Sequence, residues 1–186
     1  GSTGIANAQT YPDKPIRLII PYSVGGPLGT VANLLADNLG RELNANIVIE
    51  PRPGAGGAIG FEFVKNAPAD GYTLMAGTIS TASILPAIRD DLPFDTVEDF
   101  EAISHFVSGD NIIAVPGDSP IETIDDLIAF GQDGSGVKTC GSFGMGSTAH
   151  LGCQLFNSDY DTDFTVIHYT GAAPATAGIV GGETSF

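Results

Sequence analysis

Residues 139–153 read TCGSFGMGSTAHLGC and place Ser147, Thr148 and His150 directly behind Gly144 and Gly146. Two kinds of chemistry use such residues at such spacing. A glycine loop that runs into a helix start presents free main-chain amides to an anion. A serine and a histidine three residues apart share one helical face and could instead form a nucleophile and its base, acting on a carboxylate ester. The loop holds no lysine, so Gly146-Ser147-Thr148 lacks the Gly-Lys-Ser/Thr that meets nucleotide phosphates. Gly144 to Ala149 does match G-x-G-x-x-A. A dinucleotide site, however, wants an acid at the end of the next strand, and FTVIHYTG ends in His168 and Tyr169. G-x-S-x-G is absent, and no carboxylate is placed by sequence to orient His150. We therefore assign no catalytic residue, no metal ligand and no cofactor, and expect a protein that is not an enzyme.

Two further glycine-rich turns, PYSVGGPLGT and PRPGAGGAIG, follow apolar runs in the same manner. Hydroxyls gather in the same loops: Ser23, Thr78, Ser80, Thr81, Ser142, Ser147, Thr148 and Thr170. Neutral donors together with main-chain amides suit a carboxylate held without a salt bridge. Ser and Thr also cap helices, and one residue can serve both ends.

The elements that must carry these loops alternate along the chain. IRLIIP (16–21), ANIVIE (45–50) and YTLMAG (72–77) have strand length and composition, and apolar residues at helical spacing fill 31–43 and 58–67. Strand, helix, strand, helix, strand implies a parallel sheet with helices on its faces, so the fold class is α/β. Ligands of such sheets bind beyond the carboxyl ends of the strands, where these loops lie. After the acidic stretch DDLPFDTVEDFEA (90–102) a second series begins. AISHFV (102–107), NIIAVP (111–116), VKTCG (137–141) and FTVIHY (164–169) read as strands, and 124–130, 148–156 and 174–180 as helices. We divide the chain into residues 11–105 and 106–186.

Composition narrows the partners. Seven basic residues stand against 22 acidic ones, for a net charge of −15. Nucleic acid is excluded, because it is bound by clustered Lys and Arg that displace counterions. No apolar run reaches the roughly 20 residues of a helical membrane span. Residues 1–10 contain Ala6-Asn7-Ala8, a small-x-small pattern like the end of a signal peptide, and read as its remnant or as a tag. Cys140 and Cys153 are the only cysteines. They fit either a bridge or two buried thiols.

The ordered motifs YPDKPIRLIIPYSVGG, IVIEPRPGAGGAIG, ADGYTLMAGT, LPFDTVEDFEAIS, GSFGMGSTAHL and VIHYTGAAPA span Tyr11 to Gly182 nearly throughout. In that order they resemble the solute-binding proteins of the tripartite tricarboxylate transporters, the Bug family. The resemblance implies a periplasmic, two-lobed (type II) binding-protein fold that takes a small carboxylate and delivers it to membrane transporter subunits. It implies ligand contacts from Tyr22, Ser23, Gly25 and Gly26 in the first lobe and from Gly144, Gly146, Ser147, Thr148 and His150 in the second. Thr78, Ser80, Thr81, Tyr169, Thr170 and Gly171 would complete the pocket. Three departures stand out. Pro27-Leu28-Gly29 replaces a third glycine followed by Thr-Asp, Pro51 and Ala58 replace asparagines, and the family's return to its first lobe lies beyond GGETSF. An uncovered apolar face predicts self-association.

Overall fold

The computed structural model describes residues 11–186. The signal-peptide reading of residues 1–10 lies outside them. Strand β1 (Ile16–Ile20) is flanked by β2 (Ile47–Pro51) and β3 (Thr73–Met75), all parallel. Its central position explains why IRLII is apolar but for Arg17, which pairs with Glu50, and why Ile16, Leu18, Ile19 and Ile20 are buried. Helix α1 (Pro27–Leu43) starts four residues earlier than its apolar spacing predicts. Pro27 accounts for this, since a proline at the first helical position loses no intrahelical bond. Ala32 of α1 packs on Leu18 and Ile20. Helix α2 (Ala58–Lys65) brings Phe61 against Leu85 and Phe94, with the Phe61 and Phe94 rings 5.1 Å apart. A π-helical turn at Ser80–Ile84 runs into the short α3 (Leu85–Ile88). The sequence reading had no helix there.

A second, two-stranded parallel sheet pairs β4 (Thr139–Ser142) with β5 (Thr165–His168). Around it lie α4 (Ile124–Gln132), α5 (Thr148–Tyr160) and α6 (Ala172–Val180). Thr123 and Asp126 close a reciprocal capping box on α4. Residues 184–186 run along the free side of β4. Ser185 N–H donates to Thr139 O (3.0 Å) and Gly141 N–H to Phe186 O (2.7 Å). Phe186 is thereby buried beside Phe156 and Phe164, with Leu127, Cys140 and Cys153. Of the two cysteine readings the bridge holds: Cys140 and Cys153 form a disulfide from β4 to α5, with Cα atoms 6.3 Å apart.

AISHFV and NIIAVP are not strands, which corrects the sequence reading. A strand requires a ladder partner, and among the described residues neither sheet offers one to this stretch. Most of its apolar side chains stay in solvent, with Ile103 78% and Ile112 86% exposed, while Val115 packs against the core around Leu127.

Candidate functional site

Every strand of both sheets is parallel, so the loops leaving their carboxyl ends gather on one side of each sheet. Contacts then join these loops in a circuit. Tyr22, after β1, sets its hydroxyl 3.3 Å from Thr78 Oγ1, after β3. Ser80, on the next turn of chain, accepts from the Thr148 main-chain N–H at the start of α5 (3.2 Å). A Cβ on Gly144, after β4, would lie 3.5 Å from the Tyr169 carbonyl oxygen, after β5. A Cβ on Gly171 would lie 3.8 Å from Ser23 Oγ, which returns to the β1 loop. The loop after β2 joins at Gly56, whose Cβ position is 3.2 Å from the Met145 carbonyl oxygen.

The loop from Ser142 to His150 is shaped by its own hydrogen bonds. Gly144 (φ 125°) and Gly146 (φ 77°) occupy left-handed backbone that side chains disfavour, so the turn depends on glycine at both places. Ser147 caps α5, its Oγ accepting from His150 N–H (3.1 Å). Such a cap is worth about 1 kcal/mol. Gly146 N–H donates to His150 Nδ1 (3.1 Å), Ser147 N–H to Gly144 O (3.1 Å), and Gly144 N–H to Ser142 Oγ (3.4 Å). Among the described residues, the Met145 and Ala149 amides of this loop have no acceptor in the chain. No lysine or arginine lies in loops 22–26, 78–81, 144–150 and 169–172, and in the loop after β2 Arg52 is paired with Glu50 and lies over the Phe63 ring.

Two of the three histidines meet beside the loop. The His150 and His168 rings meet edge to face at 4.8 Å, and His168 Nδ1 lies 2.6 Å from Ser142 Oγ. Burial, and secondarily the charge of His168, hold the His150 pKa below its ordinary value. A Nδ1 that accepts from Gly146 requires the neutral ring, which agrees with that direction. The ester-hydrolase alternative needs Ser147 paired with His150, and the geometry shows other partners for both. Ser147 Oγ is bound to the main chain of residue 150, and His150 Nδ1 to the main chain of residue 146. No hydrogen bond joins nucleophile to base.

The remaining expected residues take varied positions. Ser23 and Gly25 are exposed, Gly26 precedes α1, and Thr170 is exposed between β5 and α6. Thr81 is fully buried, and its hydroxyl donates to Thr78 O (3.2 Å), so it props the loop from within. Tyr169 turns its hydroxyl to Glu183 (3.0 Å); burial first, then that bond, raise its pKa. Asn111 was missed by the sequence reading. Its Oδ1 accepts from Thr148 Oγ1 (3.1 Å), a contact made from the stretch taken for a strand. Two open depressions, of about 420 and 560 Å³, lie elsewhere and include none of the expected site residues.

Comparison with known proteins adds an independent line. A family model described as "Tripartite tricarboxylate transporter family receptor" matches residues 31–186. A UPF0065 protein of Bordetella bronchiseptica is 33% identical over 98% of this chain and 54% of its own length. The protein BugT of Bordetella pertussis is 31% identical over 97% of this chain and 57% of its own. Among solved structures, one described as a periplasmic transporter superposes with a TM-score of 0.89 at 35% identity, over 94% of this chain and 59% of that one. An R. palustris protein solved with adipate superposes at 0.91 and 27% identity, over 94% of this chain and 58% of its own. The chain thus spans somewhat over half the length of the proteins it matches.

Proposed function

The chain belongs to the tripartite tricarboxylate transporter receptor family, and from that premise we propose that it binds a small organic carboxylate for uptake. The ligand class is a di- or tricarboxylate or an aromatic acid, and adipate, held by the R. palustris neighbour, is the first probe. The observation that carries the reading is the Ser80–Thr148 bond, which joins the loop after β3 to the start of α5. Around it lie amides and hydroxyls with no cation among them. A carboxylate suits such a cradle: helix-start amides favour an anion by about 0.3–1 kcal/mol each side-chain equivalent, and charge-assisted hydrogen bonds add to that. Tyr22, Ser23, Gly25, Gly26, Thr78, Gly144, Gly146, Ser147, Thr148, His150, Tyr169, Thr170 and Gly171 are the proposed contacts, with Ser80 on the Thr148 amide and Thr81 supporting them from below.

A periplasmic location and delivery to membrane transporter subunits belong to the same reading, as does a division into lobes near residues 105–106. The exposed apolar side chains of the 101–115 stretch make self-association the expected state of this chain. A monodisperse monomer in light scattering would contradict that.

The test of ligand class is a thermal-shift screen against carboxylates of graded length and charge. At one hundred times Kd a ligand adds about 2.7 kcal/mol to the folded state. For a chain of this size that is roughly 5–10 °C of melting temperature. A response confined to one chemical class of carboxylate supports the reading. A flat response across the whole panel refutes it.

A further inference from the structure

We propose that Ser80 is an internal competitor at the carboxylate position, its hydroxyl holding the α5 amide that a ligand oxygen must take. The proposal rests on the carboxylate reading above but is carried by its own geometry. Thr148 is the first residue of α5, and a helix's first amides have no acceptor within the helix. Its N–H is instead met by Ser80 Oγ at 3.2 Å, from a residue 68 positions away in sequence. The Thr148 hydroxyl is engaged at the same time, donating to Asn111 Oδ1 at 3.1 Å. One residue thus ties α5 both to the turn after β3 and to the stretch between the two sheets.

The neighbouring amides show why this one matters. His150 N–H is capped by Ser147 and Gly146 N–H by His150 Nδ1, both within the loop itself. Those bonds shape the turn, and breaking them would unmake the site. The Ser80 bond does not shape the loop and can be exchanged for another acceptor. A carboxylate oxygen is the better acceptor for an amide at a helix start, because it carries charge where serine carries none. With Met145 and Ala149 amides lacking chain acceptors, displacement of Ser80 would give the anion a third donor in the same loop. Ser80 then sets the threshold: a ligand must offer more to Thr148 than a neutral hydroxyl does.

Two variants test this. Ser80→Ala removes the competitor. Thr148→Pro removes the amide itself, and proline is tolerated at the first helical position. The preceding residue already has the extended backbone that proline demands, since Ser147 sits at φ −73° and ψ 160°. Amide hydrogen exchange, followed by NMR on the whole chain, should show Thr148 losing protection in Ser80→Ala, by about tenfold. The His150 amide should stay unchanged, and Ser80→Thr should restore the Thr148 protection. Adipate should restore it in Ser80→Ala and bind that variant roughly two- to tenfold more tightly than the unsubstituted chain. Thr148→Pro should bind adipate more weakly, with no gain from adding Ser80→Ala. Unchanged Thr148 exchange in Ser80→Ala overturns the proposal without reference to any ligand. Weaker adipate binding by Ser80→Ala overturns it too, making Ser80 an ordinary contact. If no carboxylate binds any form, the reading of ligand class falls, while the exchange result still decides whether Ser80 holds the amide.

Discussion

Replacing Gly29 by alanine should destabilise the chain, although helix propensity alone predicts the reverse. Gly29 is buried in the first turn of α1, and a Cβ there would overlap the main-chain carbonyl of Val24 in the loop after β1. A side chain could rotate out of the way, but a carbonyl can move only if the loop or the helix moves with it. Glycine to alanine in a helix interior favours folding by about 1 kcal/mol. Forcing a methyl into filled space costs about 1–3 kcal/mol. Because the obstacle is backbone, the upper part of that range applies, and the net loss is about 1–2 kcal/mol. Gly152 of α5 provides the control: it is exposed, and a Cβ there meets nothing within 4 Å. Gly152→Ala should stabilise by about 0.5–1 kcal/mol. One kcal/mol moves the melting midpoint of a chain this long by about 2–4 °C, so the two variants should shift in opposite directions in far-ultraviolet circular dichroism melts. Gly29→Ala should also weaken adipate binding, since it displaces the loop that carries Ser23, whereas Gly152→Ala should not. A melting midpoint raised by Gly29→Ala would refute this account of the PLG departure.

Three other outcomes follow from the described contacts. His150 has a folded pKa below its ordinary value of about 6.5, so its contribution is present above that pH and is lost as pH falls through the depressed value. The midpoint should drop on acidification, and drop less in His150→Asn, whose Oδ1 can take the Gly146 amide without titrating. Asp133 is held at about 2, first by its bond to Lys138 and then by Ser135, so its contribution is present above pH 3.8 and fades as pH approaches 2. Asp133→Asn should flatten the acid limb of a melting-versus-pH curve and lower the neutral plateau, because Lys138 is 5% exposed and loses its partner. Reducing Cys140–Cys153, which lie 13 residues apart, or replacing both by serine, should cost about 3 kcal/mol. Identical melts with and without reductant would contradict that bridge.

The first sheet was readable because its central strand is apolar but for Arg17 and because glycine loops punctuate strand and helix at short range. Cys140 and Cys153 were left open by sequence, since pairing depends on how β4 and α5 face each other. The 102–116 region misled for a related reason. Its residues have strand composition, but a ladder is a property of two segments, and among the described residues none pairs with this one. Ser147 and His150 were legible as a pair on one helical face; that both are spent on main-chain amides was not. Asn111 had no signal at all, being the last residue of the polar stretch Ser108-Gly109-Asp110-Asn111. Local chemistry therefore names the loop, and only the fold tells which of its donors are still to be used.

That distinction bears on how a protein of charge −15 could take up an anion. At physiological salt, screening confines charge repulsion to about 8 Å, so the surface acid hinders approach more than residence. The attraction of helix-start amides is shorter still, falling off within the first turn. Affinity then depends on a few donors at contact distance and should change little with salt once the ligand is held. A lysine at the site would give stronger and longer-range attraction, but would favour any anion by charge. Exchangeable hydroxyl partners impose a different requirement, because a ligand succeeds only if its oxygen reaches the Thr148 amide in Ser80's place. Binding that collapsed on raising salt would show that a cation outside these loops contributes, and would overturn the neutral-cradle account.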